Sequence, residues 1–285
     1  MLYSDMNKAW IGKRFPAGVA RRGFDTASDI SGDLPHRNFR KLAFAVIVAV
    51  WQRKGIIMKI IFVRHGHPDY RKDCLTEIGH LHGNAVALRL RDEKIDRICS
   101  SSCGRARETA EHIAEYHALP VETFDFMREI GWGSIDGTEL FKNGHPWFTI
   151  DDMIEKGENL NDPDFAKSAR FCNNTTVFDI ERVANGFDEW LDGLGYVREG
   201  SYYRVRSKND ANVVMVSHGG ASSAALARLF SLPFPLVAAI VGADYTAVTV
   251  VSLNGEEGKL VLPRFELVND SKHIKGIQAE KYFGK

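Results

Sequence analysis

The length, composition and charge of the chain describe an ordinary globular protein and exclude several functional classes. The 285 residues can form one large domain with an appendage or two modest domains. Because 44% of the residues are hydrophobic, 26% are charged and the formal net charge is zero, nothing global indicates a nucleic-acid or anionic-membrane partner. Four cysteines, without a CxxC pair or a metal-ligand spacing, favour reduced thiols in a cytoplasmic protein.

The first 57 residues differ in character from the rest of the chain. Residues 1–57 carry ten basic and four acidic residues, so their net charge of +6 is balanced by −6 on the other 228 residues. The apolar run Leu42–Trp51 is shorter than the ~20 residues that a transmembrane helix needs, and it lies too far from the N-terminus for a signal peptide. A transit peptide is an alternative that three aspartates disfavour. We expect residues 1–57 to be a disordered basic extension or a mis-assigned start, and the domain to occupy residues 58–285.

From Met58 onward, apolar runs and turn residues alternate as they do in α/β proteins. In chain order they predict a strand at Lys59–Arg64, a helix from Leu75 to about Arg91 with Thr76 as its N-cap, a strand at Ile95–Cys99, a helix from Arg105 and a strand at Pro120–Phe124. Small residues in the second helix indicate close packing on the sheet. The first part of the domain is therefore predicted as two strand–helix units followed by a third strand.

The stretch 131–179 lacks sustained periodicity and is rich in Gly, Asn, Asp and Phe. Long irregular segments in compact domains are often lids or binding loops, so we predict a variable cap insertion at about residues 134–200. Short helical pieces are expected at Trp147–Lys156 and Asp164–Phe171. Several aromatic residues of this stretch form either the cap's own core or part of the mouth of a site: Trp132, Phe141, Trp147, Phe148, Phe165 and Phe171.

The last part of the domain returns to alternating helices and strands. The patterns predict an amphipathic helix at Ile180–Leu194, a buried strand at Asn212–Ser217, a small-residue helix to about Phe230, and a closing hairpin or pair of edge strands at Ala247–Leu253 and Lys259–Val268. Alternation of this kind predicts one sheet covered by helices.

Two of the predicted strands end alike, in His65-Gly66 and in His218-Gly219. Parallel strands of an open α/β sheet deliver their carboxyl ends to one crevice, where ligands bind. Each histidine is followed by a glycine, which lets backbone and ligand approach closely. A single histidine in this position is more often structural. Two at one edge, the first preceded by Arg64, favour phosphoryl chemistry.

Five ordered segments within residues 58–270 resemble the histidine phosphatase superfamily, which has the phosphoglycerate mutase-like fold. The matching segments are Val63–Gly66, Leu75–Gly79, Ser101–Ala110, Met127–Gly133 and Val216–Gly220. They follow one another in the family's order with compatible separations, whereas residues 1–57 lie outside the resemblance. The resemblance implies a three-layer α/β/α sandwich with a mostly parallel central sheet.

The resemblance also implies roles for five residues, and their chemistry suits those roles. His65 corresponds to the nucleophile that forms a phosphohistidine, since neutral imidazole is nucleophilic near pH 7. Arg64, Arg105 and His218 correspond to the groups that surround the phosphoryl oxygens. Glu129 corresponds to the acid that protonates the leaving oxygen, which requires a raised pKa. We therefore predict His65, Glu129 and His218 as catalytic residues and Arg64, Arg105 and His218 as phosphate-binding residues.

Three residues close to these are expected to contribute less. Arg107 is predicted as a helix-surface residue or a partner of the site's side chains, His67 as part of a turn that shapes the pocket, and Cys103 as a bystander thiol. No Asp/His cluster has metal-ligand spacing, and phosphohistidine chemistry requires no metal. We therefore predict an enzyme that works without a metal or a cofactor.

The predicted function is hydrolysis of a small phosphorylated substrate by a cytoplasmic, metal-independent histidine phosphatase, with no nucleic-acid and no membrane partner. One alternative is a phosphoglycerate-type phosphomutase, but mutases of the family typically carry Glu-Arg-His-Tyr-Gly where this chain has Glu129–Gly133. The other alternative is a catalytically silent module that binds phospho-ligands or a partner protein, which the joint presence of the five residues disfavours. The sequence defines neither the substrate nor the oligomeric state.

Overall fold

A computed structural model describes residues 57–277, and a six-stranded sheet is the central element of these residues. The basic extension predicted before Met58 therefore lies almost wholly outside the described residues. The strands are β1 (Ile57–Arg64), β2 (Pro68–Asp69), β3 (Cys74–Leu75), β4 (Arg97–Ser101), β5 (Val121–Phe124), β6 (Tyr196–Glu199), β7 (Tyr202–Val205), β8 (Asn212–Ser217), β9 (Val248–Asn254), β10 (Leu260–Val261) and β11 (Arg264–Asp270). The helices are α1 (Glu77–Leu90), α2 (Gly104–His117), α3 (Pro146–Glu155), α4 (Thr176–Gly193), α5 (Gly219–Phe230) and α6 (Phe234–Ile240).

The strand order in the central sheet is β11-β9-β1-β8-β4-β5. Strands β1, β8, β4 and β5 run parallel to one another; at one edge β9 pairs antiparallel with β1, and β11 pairs antiparallel with β9. The predicted α/β fold with a mostly parallel central sheet is therefore confirmed. The two strands that end before a histidine, β1 and β8, are direct neighbours, so their C-terminal ends lie side by side.

Both faces of the sheet are covered, because successive side chains of a strand point to opposite faces. Ile61 and Val63 of β1 share a core with residues of α1 and α2, whereas Ile60 and Phe62 belong to the core formed with α4 and α5. The ring of Phe62 stacks on that of Phe187 in α4, with the ring centroids 5.8 Å apart. The sheet is thus the middle of three layers, as predicted.

Strand β4 begins and ends two residues later than the predicted strand Ile95–Cys99. Its last two residues are buried serines whose hydroxyl groups have hydrogen-bond partners. Ser100 Oγ donates to the Ser101 carbonyl at 2.8 Å, and Ser101 Oγ lies 2.8 Å from Nε2 of His218. A run of serines looks like a loop in the sequence, but these bonds allow two of them to end a buried strand.

The insertion predicted at about residues 134–200 is partly irregular and partly core. The predicted helical piece Trp147–Lys156 corresponds to α3, but Asp164–Phe171 contains only one turn of 3-10 helix at Phe165–Lys167. Ser168 Oγ donates to the Phe165 carbonyl at 2.6 Å, and such local bonds compete with helix formation. The irregular part ends at residue 175. From Thr176 onward the chain forms α4, which packs into the core shared with α5.

The sequence patterns do not predict β6 and β7. They also predict one strand at Lys259–Val268, where the structure has two strands, β10 and β11. Strands β6 and β7 form a hairpin to which β10 adds a third strand, whereas β11 pairs with β9 in the central sheet. Pro263 lies between β10 and β11. Proline cannot donate a hydrogen bond to a neighbouring strand, so it is a natural place for the chain to pass from one sheet to the other.

Helix α6 is also absent from the sequence-based prediction, and it follows α5 after a bend of 117°. Pro235 lies in the first turn of α6, where the missing N–H of proline is not needed for the helix. Within residues 57–277 no single helix is long and apolar enough to cross a membrane, and α5 and α6 meet that requirement only as a bent pair, by length and composition.

Candidate active site

The C-terminal ends of β1 and β8 bring His65 and His218 together. Arg64 lies opposite Ser217 in the parallel register of the two strands. The backbone N–H of His65 donates to the Ser217 carbonyl at 2.9 Å, which ties the first residue after β1 to the last residue of β8. The two imidazole centroids are 5.1 Å apart, and both side chains are buried.

The hydrogen bonds of His65 define its tautomer. Nδ1 lies 2.7 Å from the Gly66 carbonyl oxygen, which can only accept, so Nδ1 carries the proton and Nε2 carries the lone pair. Burial, followed by the proximity of His218 and Arg64, holds the pKa of His65 well below its ordinary value. The imidazole is therefore neutral at pH 7, and its Nε2 lies 3.3 Å from Nε of Arg105.

His218 contributes a hydrogen-bond donor beside His65. Ser101 Oγ accepts from the Cys103 N–H at 3.2 Å, and within residues 57–277 Nε2 of His218, 2.8 Å away, is the acceptor available to the hydroxyl proton. With Nε2 as the acceptor, Nδ1 of His218 carries the proton, and this buried atom has no acceptor within residues 57–277. Burial, then the charges of Arg105 and Arg64, lowers the pKa of His218 well below its ordinary value, so this ring is neutral as well.

Arg64 is clamped by the loop that precedes β9. Its Nη1 donates to the Ala243 carbonyl, and its guanidinium carbon lies 4.4 Å from the centre of the Tyr245 ring. Its Nε is buried and has no acceptor in the described part of the chain. Arg64 and His218 therefore each have a buried N–H group that lacks an acceptor, and both residues lie next to the neutral imidazole of His65. The oxygens of a phosphoryl group would supply those acceptors.

Arg105 lies in the first turn of α2 and is buried. Its Nη1 forms an ion pair with Oδ1 of Asp73, while Oδ2 of the same carboxylate accepts from the Gly104 N–H at 2.7 Å. A carboxylate at a helix N-terminus is stabilised by the helix dipole. Asp73 therefore fixes both the guanidinium and the end of the helix that carries it.

Glu129 is bonded to the start of α5, the helix that follows His218. Its Oε1 accepts from the N–H groups of Ile130 and Ala221, each at 3.0 Å. A Cβ atom at position 220 would clash with Ile130 Cγ1 and come within 2.7 Å of the same oxygen, so a side chain there would displace one or both. Burial raises the pKa of Glu129 above its ordinary value even though the two N–H groups oppose the shift. A raised pKa is what a proton donor at neutral pH requires.

A family model described as the histidine phosphatase superfamily (branch 1) matches residues 60–162 of the chain. Four of the five predicted site residues lie within the match. These residues belong to the histidine phosphatase superfamily. The resemblance found in the sequence motifs is therefore confirmed, while His218 lies beyond the matched residues.

Curated relatives match this chain over part of their length. The chain is 32% identical over 93 residues to a probable phosphatase of Schizosaccharomyces pombe, a match that covers 29% of this chain and 44% of the relative. It is 30% identical over 93 residues to a probable phosphoglycerate mutase of Yersinia pestis, covering 30% of this chain and 43% of the relative. The chain thus spans less than half the length of these relatives.

The fold is shared with solved structures over most of the described chain. One is the mycobacterial glucosyl-3-phosphoglycerate phosphatase, which is 24% identical and superimposes with a TM-score of 0.53 over 75% of this chain and 100% of its own. This likeness shows that the chain shares its fold with that phosphatase.

The residues with smaller predicted roles occupy distinct positions around the histidine pair. Arg107 is exposed on α2, as the helix-surface interpretation expects. His67 follows the first histidine by two residues, and its Nδ1 lies 2.9 Å from Oγ1 of Thr76, the N-cap of α1. Cys103 is the N-cap residue of α2. Among residues 57–277, no group of three His, Cys, Asp or Glu residues could hold a metal ion.

The loop that carries Glu129 is organised by Arg182 of α4, a residue that sequence motifs do not indicate. Its Nη1 donates to the carbonyls of Asp125 and Phe126 at 3.1 and 2.7 Å, and its Nη2 donates to those of Arg128 and Glu129 at 3.2 and 3.4 Å. Nε of the same guanidinium is bonded to a carboxylate one turn earlier in α4, which also accepts the Gly131 N–H. The side chain of Arg182 thus holds the backbone of the loop that carries Glu129.

We expect Arg182→Ala to reduce kcat/KM by about 10- to 100-fold for substrates whose leaving group needs a proton, since a displaced acid contributes less to the transition state of the first step. The loss should be smaller for p-nitrophenyl phosphate, whose leaving group departs without protonation. Arg170→Ala is the matched control, because Arg170 pairs with carboxylates of the cap and has no bond to the Glu129 loop. Equal losses on both substrate types would show that Arg182 stabilises the fold without positioning the acid.

The depressed pKa values of the two histidines predict an acid-sensitive stability. Above the ordinary histidine pKa of 6.5, the two imidazoles are neutral in the folded protein and in the unfolded protein. As the pH falls below 6.5, both imidazoles bind a proton in the unfolded chain but stay neutral in the folded protein. The free energy of unfolding therefore decreases. Between pH 7.5 and 5.5 each imidazole should account for about 1.4 kcal/mol of that decrease. Urea unfolding of His65→Gln and His218→Gln measures it, and an unchanged pH dependence in both variants would contradict the assignment.

Proposed function

We propose that this protein is a phosphomonoester hydrolase that acts on a small phosphorylated metabolite through a phosphohistidine at His65. The observation that carries the proposal is the environment of that residue. A neutral imidazole with its lone pair on Nε2 lies beside His218 and Arg105, and buried N–H donors of His218 and Arg64 have no acceptors within residues 57–277. Such a site suits a nucleophile that attacks a group bearing several negatively charged oxygens.

In the first step, Nε2 of His65 attacks phosphorus, so a P–N bond forms as the P–O bond to the leaving group breaks. Glu129, whose pKa is raised by burial, donates its proton to the leaving oxygen. Arg64, Arg105 and His218 stabilise the non-bridging oxygens throughout. In the second step, water attacks the phosphohistidine, Glu129 takes a proton from that water, and the P–N bond breaks. Inorganic phosphate leaves, and His65 and Glu129 return to their starting states.

The proposal includes no metal and no cofactor, because the two arginines can supply the positive charge that the transferring phosphoryl group requires. All four cysteines are free thiols, which supports a reducing compartment, and the proposed location is the cytoplasm.

A phosphomutase is the second candidate, because the match with a probable phosphoglycerate mutase of Yersinia pestis favours it. A mutase must retain a phosphorylated intermediate and return the phosphoryl group to the bound molecule, which requires exclusion of water. The fate of the phosphoryl group separates the two. A hydrolase releases it as inorganic phosphate, whereas a mutase moves it within the substrate.

The test is an assay of the full chain with EDTA present and a panel of phosphomonoesters, with inorganic phosphate and 2- and 3-phosphoglycerate quantified. The hydrolase proposal predicts free phosphate that accumulates in proportion to the substrate consumed. Interconversion of the two phosphoglycerates without release would establish the mutase. Tight binding of phosphate with neither activity would establish a catalytically silent module.

A further inference from the structure

A cluster of aromatic rings lies at one side of the candidate active site. His145 precedes α3. The centroid of its imidazole lies 4.4 Å from the ring centroid of Trp132, 4.8 Å from that of Phe148 and 5.9 Å from that of Trp147. These four side chains are called the aromatic cluster below. Three of them lie within four residues of one another, and the fold brings Trp132 to them from 13 residues earlier in the chain.

The aromatic cluster adjoins two segments that carry proposed catalytic residues. Trp132 is three residues beyond Glu129, on the short segment whose backbone Arg182 and its neighbouring carboxylate hold in place. Trp147 comes within 3.8 Å of the position that a Cβ atom on Gly219 would occupy, and Gly219 directly follows His218. A group that leaves phosphorus and takes its proton from Glu129 would therefore depart on the side of the site where these rings lie.

Two members of the aromatic cluster keep ring surface available. Trp132 is 43% exposed and Phe148 is 39% exposed, whereas Phe171, an aromatic residue of the same irregular segment, is fully buried in the core. Exposed aromatic rings that are held by neighbouring rings offer a rigid flat surface at little cost in side-chain entropy. That surface suits a partner with a flat apolar face.

The charges around the aromatic cluster disfavour an anionic leaving group. The basic residues of the irregular segment are mostly engaged, since Lys156, Lys167 and Arg170 pair with carboxylates. The other two basic residues of the stretch 128–175, Arg128 and Lys142, have no carboxylate partner within residues 57–277, and both are exposed. A carboxylate or second phosphate would have to be held by these two exposed cations, where solvent weakens the attraction.

We propose that the aromatic cluster is the leaving-group subsite and that the preferred substrates are phosphomonoesters of uncharged, ring-shaped alcohols. This subsite rests on the phosphatase activity proposed above. Stacking on Trp132 and Phe148 would hold the ring, and the leaving oxygen would point to Glu129. The neutral surface selects against leaving groups that carry a carboxylate, such as those of phosphoserine and 3-phosphoglycerate.

The test compares kcat/KM of the full chain for phenyl phosphate, glucose 6-phosphate, phosphoserine and 3-phosphoglycerate. Ring substrates are expected to be preferred by at least about 10-fold, because a ring held against the aromatic side chains gains contact that an acyclic leaving group does not. Trp132→Ala should remove most of that preference through a higher KM, and Trp132→Phe should restore it. The inhibition constant of inorganic phosphate, which reports the phosphoryl subsite alone, should not change. Tyr116→Ala is the control, because this tyrosine is 51% exposed on α2.

The four substrates also separate the possible failures. Activity on the phenyl ester but not on the sugar ester would narrow the subsite to aryl groups and still support it. A preference for phosphoserine or 3-phosphoglycerate, lost in Lys142→Ala or Arg128→Ala, would overturn the subsite while leaving the phosphatase intact. An unchanged substrate preference in Trp132→Ala would overturn it as well. Absence of phosphate release from every substrate would overturn the phosphatase and the subsite together.

Discussion

Replacement of His65 by alanine is expected to lower kcat/KM for p-nitrophenyl phosphate by at least about 10³-fold, since loss of a covalent nucleophile removes the reaction path itself. The neutral imidazole is the nucleophile in the proposed mechanism, and no other described side chain offers a lone pair at the same place. The measurement is steady-state kinetics in EDTA with wild type and variant at equal concentration.

The controls for His65→Ala separate chemistry from folding. His80→Ala removes an exposed imidazole in α1 that belongs to a different histidine pair, with His112, and should retain wild-type activity. Inorganic phosphate should still bind to His65→Ala, because Arg64, Arg105 and His218 are unchanged. A variant that binds phosphate and keeps more than a tenth of the wild-type kcat would show that another residue attacks phosphorus.

Replacement of Glu129 by glutamine is expected to have an effect that depends on the leaving group. For an alkyl phosphate, kcat/KM, which reports the steps up to formation of the phosphohistidine, should decrease by about 10²- to 10⁴-fold, the usual contribution of a general acid. For p-nitrophenyl phosphate the first step needs no proton, so the decrease should be clearly smaller. A ratio of the two losses close to one would mean that Glu129 does not donate the proton.

The pH dependence of the same variant provides an independent measurement. The acid must be protonated in the free enzyme, so wild-type kcat/KM for an alkyl phosphate should fall as the pH rises through the raised pKa of Glu129. That limb should be absent in Glu129→Gln. The ionisation of the phosphate ester, with a pKa of about 6, is common to both proteins and cancels in their ratio.

The sheet and the histidine pair could be predicted from the sequence because their signals are local. The apolar runs that precede His65 and His218 identify β1 and β8, and the glycine after each histidine indicates close approach of a ligand. Parallel strands deliver their C-terminal ends to one edge, and the structure places these two as neighbours. What the sequence could not provide is the tautomer of each ring, which depends on Ser101 and on the Gly66 carbonyl.

The residues that hold the site in place were beyond sequence reasoning, because they act across long separations. Asp73 pairs with Arg105 from a loop, Arg182 binds the Glu129 loop from α4, and Tyr245 lies on the guanidinium of the arginine before His65. None of them stands in a motif with its partner. A charged residue of this kind looks like a solvated surface residue until the fold brings its partner within reach.

The aromatic residues of the cap illustrate a question that only packing could answer. In the sequence they form one group that could be a small core or the mouth of the site. The structure divides them, since Phe171 is buried and Phe165 packs against it, whereas Trp132 and Phe148 are exposed around His145. Aromatic content alone indicates burial and binding equally well, because both uses exploit the same large apolar surface.

The most direct test of the account is to trap the covalent intermediate. Full-length protein is mixed with substrate, quenched in alkali within milliseconds to seconds, and digested for mass spectrometry of the peptide that contains His65. The proposed mechanism predicts one added phosphoryl group on His65 that is lost in acid and absent from His65→Ala. Phosphate release by wild type with no phosphohistidine, or with the phosphoryl group on another residue, would contradict it.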